Sequence, residues 1–130
     1  MSADLSPEAV EILRSTNFAH LATLNRDGSV QVHPMWVDVE GGRPVMNTAV
    51  GRVKERNMRR DPRVTIAVSD TADPYRYLEI QGTAELVPEG AREHIEALAR
   101  KYTGQPFKGF QPGVDRVKVV VTPTRVRLVD

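Results

Sequence analysis

Phe18-Ala19-His20-Leu21-Ala22-Thr23-Leu24-Asn25-Arg26-Asp27-Gly28 sets the architecture of this chain. Phe18, His20, Ala22 and Leu24 alternate with Ala19, Leu21 and Thr23. A period of two belongs to a strand, and the largely apolar character of both sets predicts cover on both faces. Asn25-Arg26-Asp27-Gly28 follows with the Asp-Gly signal of a hairpin turn. Val30 to Val39 is then the return strand, with Gln31, His33, Met35, Val37 and Val39 on one face and Val30, Val32, Pro34, Trp36 and Asp38 on the other. Pro34 has no N–H to give to a ladder. That places the strand at an edge or a bulge, where the interruption opens a gap that a flat ligand could fill.

Working outward, Glu40-Gly41-Gly42-Arg43 is a second hairpin turn and Pro44 to Ala49 a third strand. Strands in meander order, joined by short turns, pair antiparallel. Arg63 to Ser69 is a fourth strand, and Tyr75 to Val87 a fifth whose internal Gly82 predicts a bulge or the close approach of another backbone. Arg116 to Val129 is the sixth, bent at Pro123. Ser6-Pro7-Glu8 carries the cap, first-position proline and first-turn acid of a short helix ending near Ser15. Gly51 to Arg60 forms a second helix stopped by Asp61-Pro62. Pro88-Glu89-Gly90 opens a third, running to about Tyr102, with Ile95, Leu98 and Ala99 inward and His94 on a polar face. Thr103 to Gly113 is a Gly- and Pro-rich loop holding Phe107 and Phe110. Six strands and short helices define a mainly β fold, a small antiparallel barrel whose closure removes exposed edges.

The 130 residues make one domain, 1–130, small enough that a core shared with a second subunit would help it. A net charge of +1 disfavours a dedicated nucleic-acid binder, which carries a basic excess over the whole domain. The absence of Cys removes disulfides, zinc-thiolate sites and thiol nucleophiles. Ser2 to Glu11 is polar and acidic, without the apolar core of a signal peptide, and no apolar stretch approaches a membrane span. A soluble cytoplasmic protein, without membrane or nucleic-acid partners, is the expectation.

Positive charge is concentrated locally. Gly51 to Arg63 holds six of the eighteen Lys and Arg residues, and charge runs of this kind are commonly solvated surface. Here, however, a loop leads from an apolar run into a helix, so backbone N–H groups and cations converge on a place that suits phosphate. Arg52 and Lys54 stand at that junction, and Asn57, one turn on from Lys54, adds a neutral donor. Glu55 and Arg59, four apart, pair on the exposed side. His20, His33 and His94 lack metal-ligand spacing, so no metal site is expected. No Ser-His-Asp signature, dinucleotide fingerprint or phosphate-loop lysine is present, and no catalytic residue is assigned.

Taken together, Ala22-Thr23-Leu24 with Asp27-Gly28, then Gly51-Arg52-x-Lys54-x-x-Asn57-x-x-Arg60-Asp61-Pro62-Arg63-Val64, then Glu79-Ile80-Gln81-Gly82-Thr83-Ala84 resemble the pyridoxamine 5'-phosphate oxidase-like flavoproteins. They resemble most closely the actinobacterial branch that uses the deazaflavin coenzyme F-420. The resemblance implies a six-stranded split β-barrel homodimer with cofactor sites at the subunit interface. It places the cofactor phosphate on Arg52 and Lys54 with Asn57 nearby. It lines the ring with Met46, Asn47 and Thr48 and with Gln31, Val32 and His33, and brings Tyr75 and Tyr77 from the partner. The implied activity is hydride transfer from carbon C5 of reduced F-420 to a conjugated C=C or quinone-like small molecule. Such chemistry resides in the cofactor and asks the protein mainly to position it and exclude water. FMN is the alternative cofactor for an oxidase or reductase of the same class, since it too ends in a phosphate. A non-catalytic carrier of a flavin or a haem-like ligand is the third reading. The chain ends Arg125-Val126-Arg127-Leu128-Val129-Asp130, without the histidine that the oxidase proper has there, which points away from pyridoxamine-phosphate oxidation.

Overall fold

Residues 3–130 are described by a computed structural model. Helix α1 spans Pro7–Arg14, with the Ser6 hydroxyl accepting the Ala9 N–H at 3.2 Å. Strands β1 (Ala19–Leu24) and β2 (Val30–Met35) form the first hairpin, closed by the Asn25 N–H bonded to the Ser29 carbonyl at 2.8 Å. Strands β3 (Asp38–Glu40) and β4 (Arg43–Ala49) form the second. Its two-residue turn holds Gly41 and Gly42 at φ of 58° and 75°, the pair of positive angles that a type I′ turn demands. Helix α2 (Val53–Arg60), β5 (Arg63–Asp70), β6 (Asp73–Val87), α3 (Ala91–Thr103) and β7 (Arg116–Val129) complete the chain.

The expected split antiparallel barrel is present, but its sheet has seven strands rather than six and does not close, in the order β2-β1-β5-β6-β7-β4-β3. The expected strand from Val30 to Val39 breaks at Trp36 and Val37. There the chain leaves one edge of the sheet and crosses to the other, so β2 and β3 are neighbours in sequence and opposite edges in space. No ladder joins them, which is why the barrel is split. The crossing is held by side chains of α3, because the ladder cannot satisfy its backbone groups. Val37 N–H donates to the Tyr102 hydroxyl at 3.1 Å, Tyr102 donates to the Asn17 carbonyl at 2.6 Å, and Lys101 Nζ donates to the Val37 and Leu13 carbonyls at 2.6 and 2.9 Å. Pro34 lies on the edge strand β2, opposite His20, as its missing donor requires.

The core lies inside the curved sheet, where Leu21, Val37, Met46, Ile66, Leu78, Ile80 and Val119 meet Ile12 and Leu13 of α1 and Met58 of α2. Strand β1 is covered fully on one face only: Ala19, Leu21 and Thr23 are buried, whereas His20 is exposed. A register shift between Gln81 and Gly82 confirms the expected irregularity in β6. A Cβ at Gly82 would stand 2.4 Å from the Thr122 carbonyl oxygen, so the backbones of β6 and β7 approach there as no other residue would allow. Among the described residues no helix is long and apolar enough to cross a membrane.

Candidate functional site

At the end of β4 the chain turns directly into α2, and this junction concentrates charge. Arg52 occupies the N-cap position of α2 and is exposed; Lys54, in the first turn, is only 8% exposed. The register of β4 on β7 sets Arg116 beside Ala49 and Val117 beside Thr48, bringing a third cation from the far end of the chain. These groups face a cleft of about 290 Å³ walled by Phe18, His33, Pro34, Trp36, Asn47, Thr48 and Phe107. Another hollow, of about 370 Å³, lies over β1, β5 and β6, but its one charged lining residue, Arg63, is already paired with Asp61 at 2.7 Å. Of these two hollows, the one beside Lys54 presents the unneutralised charge.

Burial pulls the Lys54 ammonium below its usual pKa range, and Arg52 and Arg116 push it further in the same direction. No carboxylate among the described residues opposes them. Burial and then Arg52 lower Arg116 as well. His33, half facing the same cleft, is lowered by burial first and by Lys54 next, which keeps it neutral at pH 7. Natural proteins rarely bury a cation without a partner. The cleft therefore carries positive charge that the described residues leave uncompensated.

The acidic residue of α2 looks away. Glu55 was expected on the exposed side, yet it is 2% exposed; it reaches back to the Gly51 N–H at 2.8 Å and pairs with Arg59. Burial raises its carboxyl, but the Arg59 and Gly51 hydrogen bonds outweigh that and the net shift is downward. Glu55 thus fixes the loop entering α2 while leaving Lys54 free on the opposite side.

Of the residues expected around a cofactor, the structure brings Arg52, Lys54, Asn47, Thr48 and His33 to this cleft. Met46 points into the core. Asn57 is occupied elsewhere: its Nδ2 donates to Thr23 Oγ1 at 3.1 Å and Asn25 Oδ1 at 2.8 Å, and its Oδ1 accepts from Arg60 at 3.0 Å, tying α2 to the first hairpin. Gln31 is half-buried on β2, its Oε1 without a partner among the described residues, while Val32 is exposed. Tyr75 is 84% exposed and Tyr77 half-buried, both on β6 outside the cleft of their own chain.

Arg116, Phe107, Trp36 and Phe18 are cleft residues that sequence patterning missed. Trp36 stacks on Tyr102 at 5.5 Å and Phe18 lies 5.6 Å from the same ring, so one wall is a continuous aromatic surface. Phe107 packs edge-on to Phe110 at 4.9 Å and sits beneath Arg116 at 5.0 Å. His94 also departs from expectation. It is buried on the face of α3 that meets β4, where Asn47 Nδ2 approaches its Nδ1 at 3.0 Å. Among the described residues no group of three or more acidic or histidine side chains could hold a metal.

A split antiparallel barrel with an open, cation-lined and aromatic-walled cleft is the class that fold and site define. The chain belongs to the pyridoxamine 5'-phosphate oxidase family, whose pattern it matches over residues 5–130. It is similar to a structure described as an F-420 reductase, at 34% identity over 90% of this chain and 94% of that one, with a TM-score of 0.81. It also resembles a conserved hypothetical protein of Mycobacterium tuberculosis at 27% identity, covering 99% and 86% of the two chains with a TM-score of 0.79. A putative pyridoxamine 5'-phosphate oxidase of Listeria innocua, at 22% identity, 93% and 94% coverage and a TM-score of 0.72, shares the fold.

Proposed function

We propose that this chain is an oxidoreductase of the flavin or deazaflavin type that uses reduced coenzyme F-420 to reduce a conjugated C=C or a quinone-like small molecule. The buried Lys54 ammonium, flanked by Arg52 and Arg116 and opposed by no acid, carries the proposal. Its fit is to a phosphate group, and the aromatic wall of Phe18 and Trp36 suits a flat ring. The similarity to an F-420 reductase supports the deazaflavin over FMN. When bound, such a coenzyme supplies the hydride. Arg52 and Lys54 hold its phosphate, Phe18, Pro34 and Trp36 keep water from the ring, and neutral His33 offers a hydrogen bond at the cleft mouth.

The active form we propose is a homodimer. Tyr75 and Tyr77 lie outside their own chain's cleft, and a second copy would deliver them to it. Light scattering should then give about twice the 14.5 kDa of the chain.

Fluorescence titration with F-420 tests the function. Micromolar binding, accompanied by F-420H2-dependent bleaching of an enone or quinone, supports it. Protein purified yellow and saturated with FMN instead would move the assignment to the flavin. Binding without turnover of any acceptor would make the chain a carrier, and absence of binding by either cofactor would overturn the proposal.

A further inference from the structure

Asn47 is buried and makes three contacts that together fix its amide. Arg116 Nε donates to Oδ1 at 2.9 Å; Nδ2 donates to the Ala91 carbonyl at 2.9 Å and faces His94 Nδ1 at 3.0 Å. A guanidinium has only donors, so the amide oxygen must face Arg116 and the NH2 must face α3. His94 Nδ1 then has to accept, and its proton resides on Nε2. That nitrogen is buried without a hydrogen-bond partner, 3.9 Å from Glu40. With Nε committed to Asn47, the terminal nitrogens of Arg116 have no partner among the described residues. They lie over Phe107 at the cleft wall, and a fork of this kind suits a bidentate oxyanion.

We propose that Arg116 is a third anion-binding residue of the cleft, aimed by Asn47, and that neutral His94 holds Asn47 in the orientation this requires. The inference deepens the cofactor assignment above and rests on it for the ligand's identity, though not for its anionic character. If His94 takes a second proton, Nδ1 becomes a donor facing the Asn47 NH2. The amide must then rotate, which turns its NH2 towards Arg116 and releases the guanidinium. Burial is the largest influence on His94 and lowers its pKa; among the charged groups around it, Glu40 and Asp38 from the β3 hairpin favour the protonated ring, whereas Lys118 from β7 acts with burial, and the net shift is downward. At pH 7 the relay is therefore intact, and it is lost as pH falls below the ordinary histidine range.

The roles of Asn47 and His94 are positioning ones, and the test needs no cofactor. Inorganic sulfate, whose charge is constant between pH 5 and 8, is titrated into the full chain while the Arg116 Nε–H resonance is followed by NMR. Sulfate should shift that resonance, and Arg116→Gln should weaken sulfate binding about tenfold. His94→Asn keeps an acceptor near the Nδ1 position but cannot titrate. Below the pH at which the His94 ring itself titrates, followed in the same spectra, the wild type should lose affinity several-fold relative to His94→Asn, with His33 present in both and cancelling from the comparison. Circular dichroism checks that the variants fold. An unmoved Arg116 resonance, unchanged affinity in Arg116→Gln, or coincident pH profiles for wild type and His94→Asn would each overturn the inference. Sulfate binding with the expected profile in a protein that takes up neither F-420 nor FMN would sustain it while removing the cofactor assignment. Tight cofactor binding with coincident profiles would do the reverse.

Discussion

Glu55 reaches back across the first turn of its own helix to take the Gly51 N–H at 2.8 Å. The bond turns a strand end into a helix start within a few residues, in the manner of a capping box displaced by one position. It also takes the one carboxylate of α2 away from Lys54. Charge separation at the junction is thus a property of helix geometry: Lys54 and Glu55 are adjacent in sequence and cannot share a face.

Glu55→Gln should cost about 1–3 kcal/mol, the usual loss when a buried carboxylate gives up charge-assisted hydrogen bonds. The folded carboxyl lies below its ordinary value of 4.5, so the stability it contributes is present above that pH and lost as pH falls through the folded pKa. Urea denaturation at pH 7 and at pH 3 checks both points. The variant should be weaker at neutral pH and show a shallower acid decline than the parent.

Lys54→Met should separate stability from binding. A buried cation without a counter-ion is a cost that an apolar chain of similar length avoids. We expect a rise in Tm of about 3–5 °C together with a loss of cofactor affinity of about 10- to 100-fold. For the parent, the penalty persists below the lowered folded pKa of Lys54 and eases as pH climbs towards the ordinary value of 10.5. Thermal melts with and without F-420 give the measurement; equal affinity in both proteins would remove Lys54 from the site.

Tyr102→Phe should loosen the crossing between the two sheet edges. It deletes the hydroxyl that links Val37 to Asn17 while retaining the ring that stacks on Trp36. A loss of about 1–3 kcal/mol is expected, because a buried N–H and carbonyl lose their partner. Amide hydrogen exchange at Val37 should accelerate more than exchange in β6. Uniform acceleration across the sheet would show that the hydroxyl acts only on global stability.

Much of this architecture is written locally. Asp27-Gly28 and Gly41-Gly42 specify two hairpins because few residues tolerate their backbone angles, and Gly82 announces the close approach to Thr122. Pro34 marks an edge strand for want of a donor. The cations Arg52 and Lys54 are legible for the same reason, since they lie two residues apart at a recognisable strand-to-helix turn.

What lay beyond local pattern is everything that depends on which strand meets which. The split between β2 and β3 follows from Trp36 and Val37 being held by α3, an element far along the chain. Asn57 carries the residue type of a phosphate donor, but β1 folds against it and takes its amide. His94 reads as exposed on a polar helical face in sequence and is buried in space, because β4 covers that face and sets Asn47 against it. Arg116 reaches Lys54's cleft only through the β4–β7 register. Turns and caps are fixed by the conformational limits of a few adjacent residues, which composition reveals. Burial and charge balance are sums over elements brought together by long-range pairing, and no window of sequence contains them.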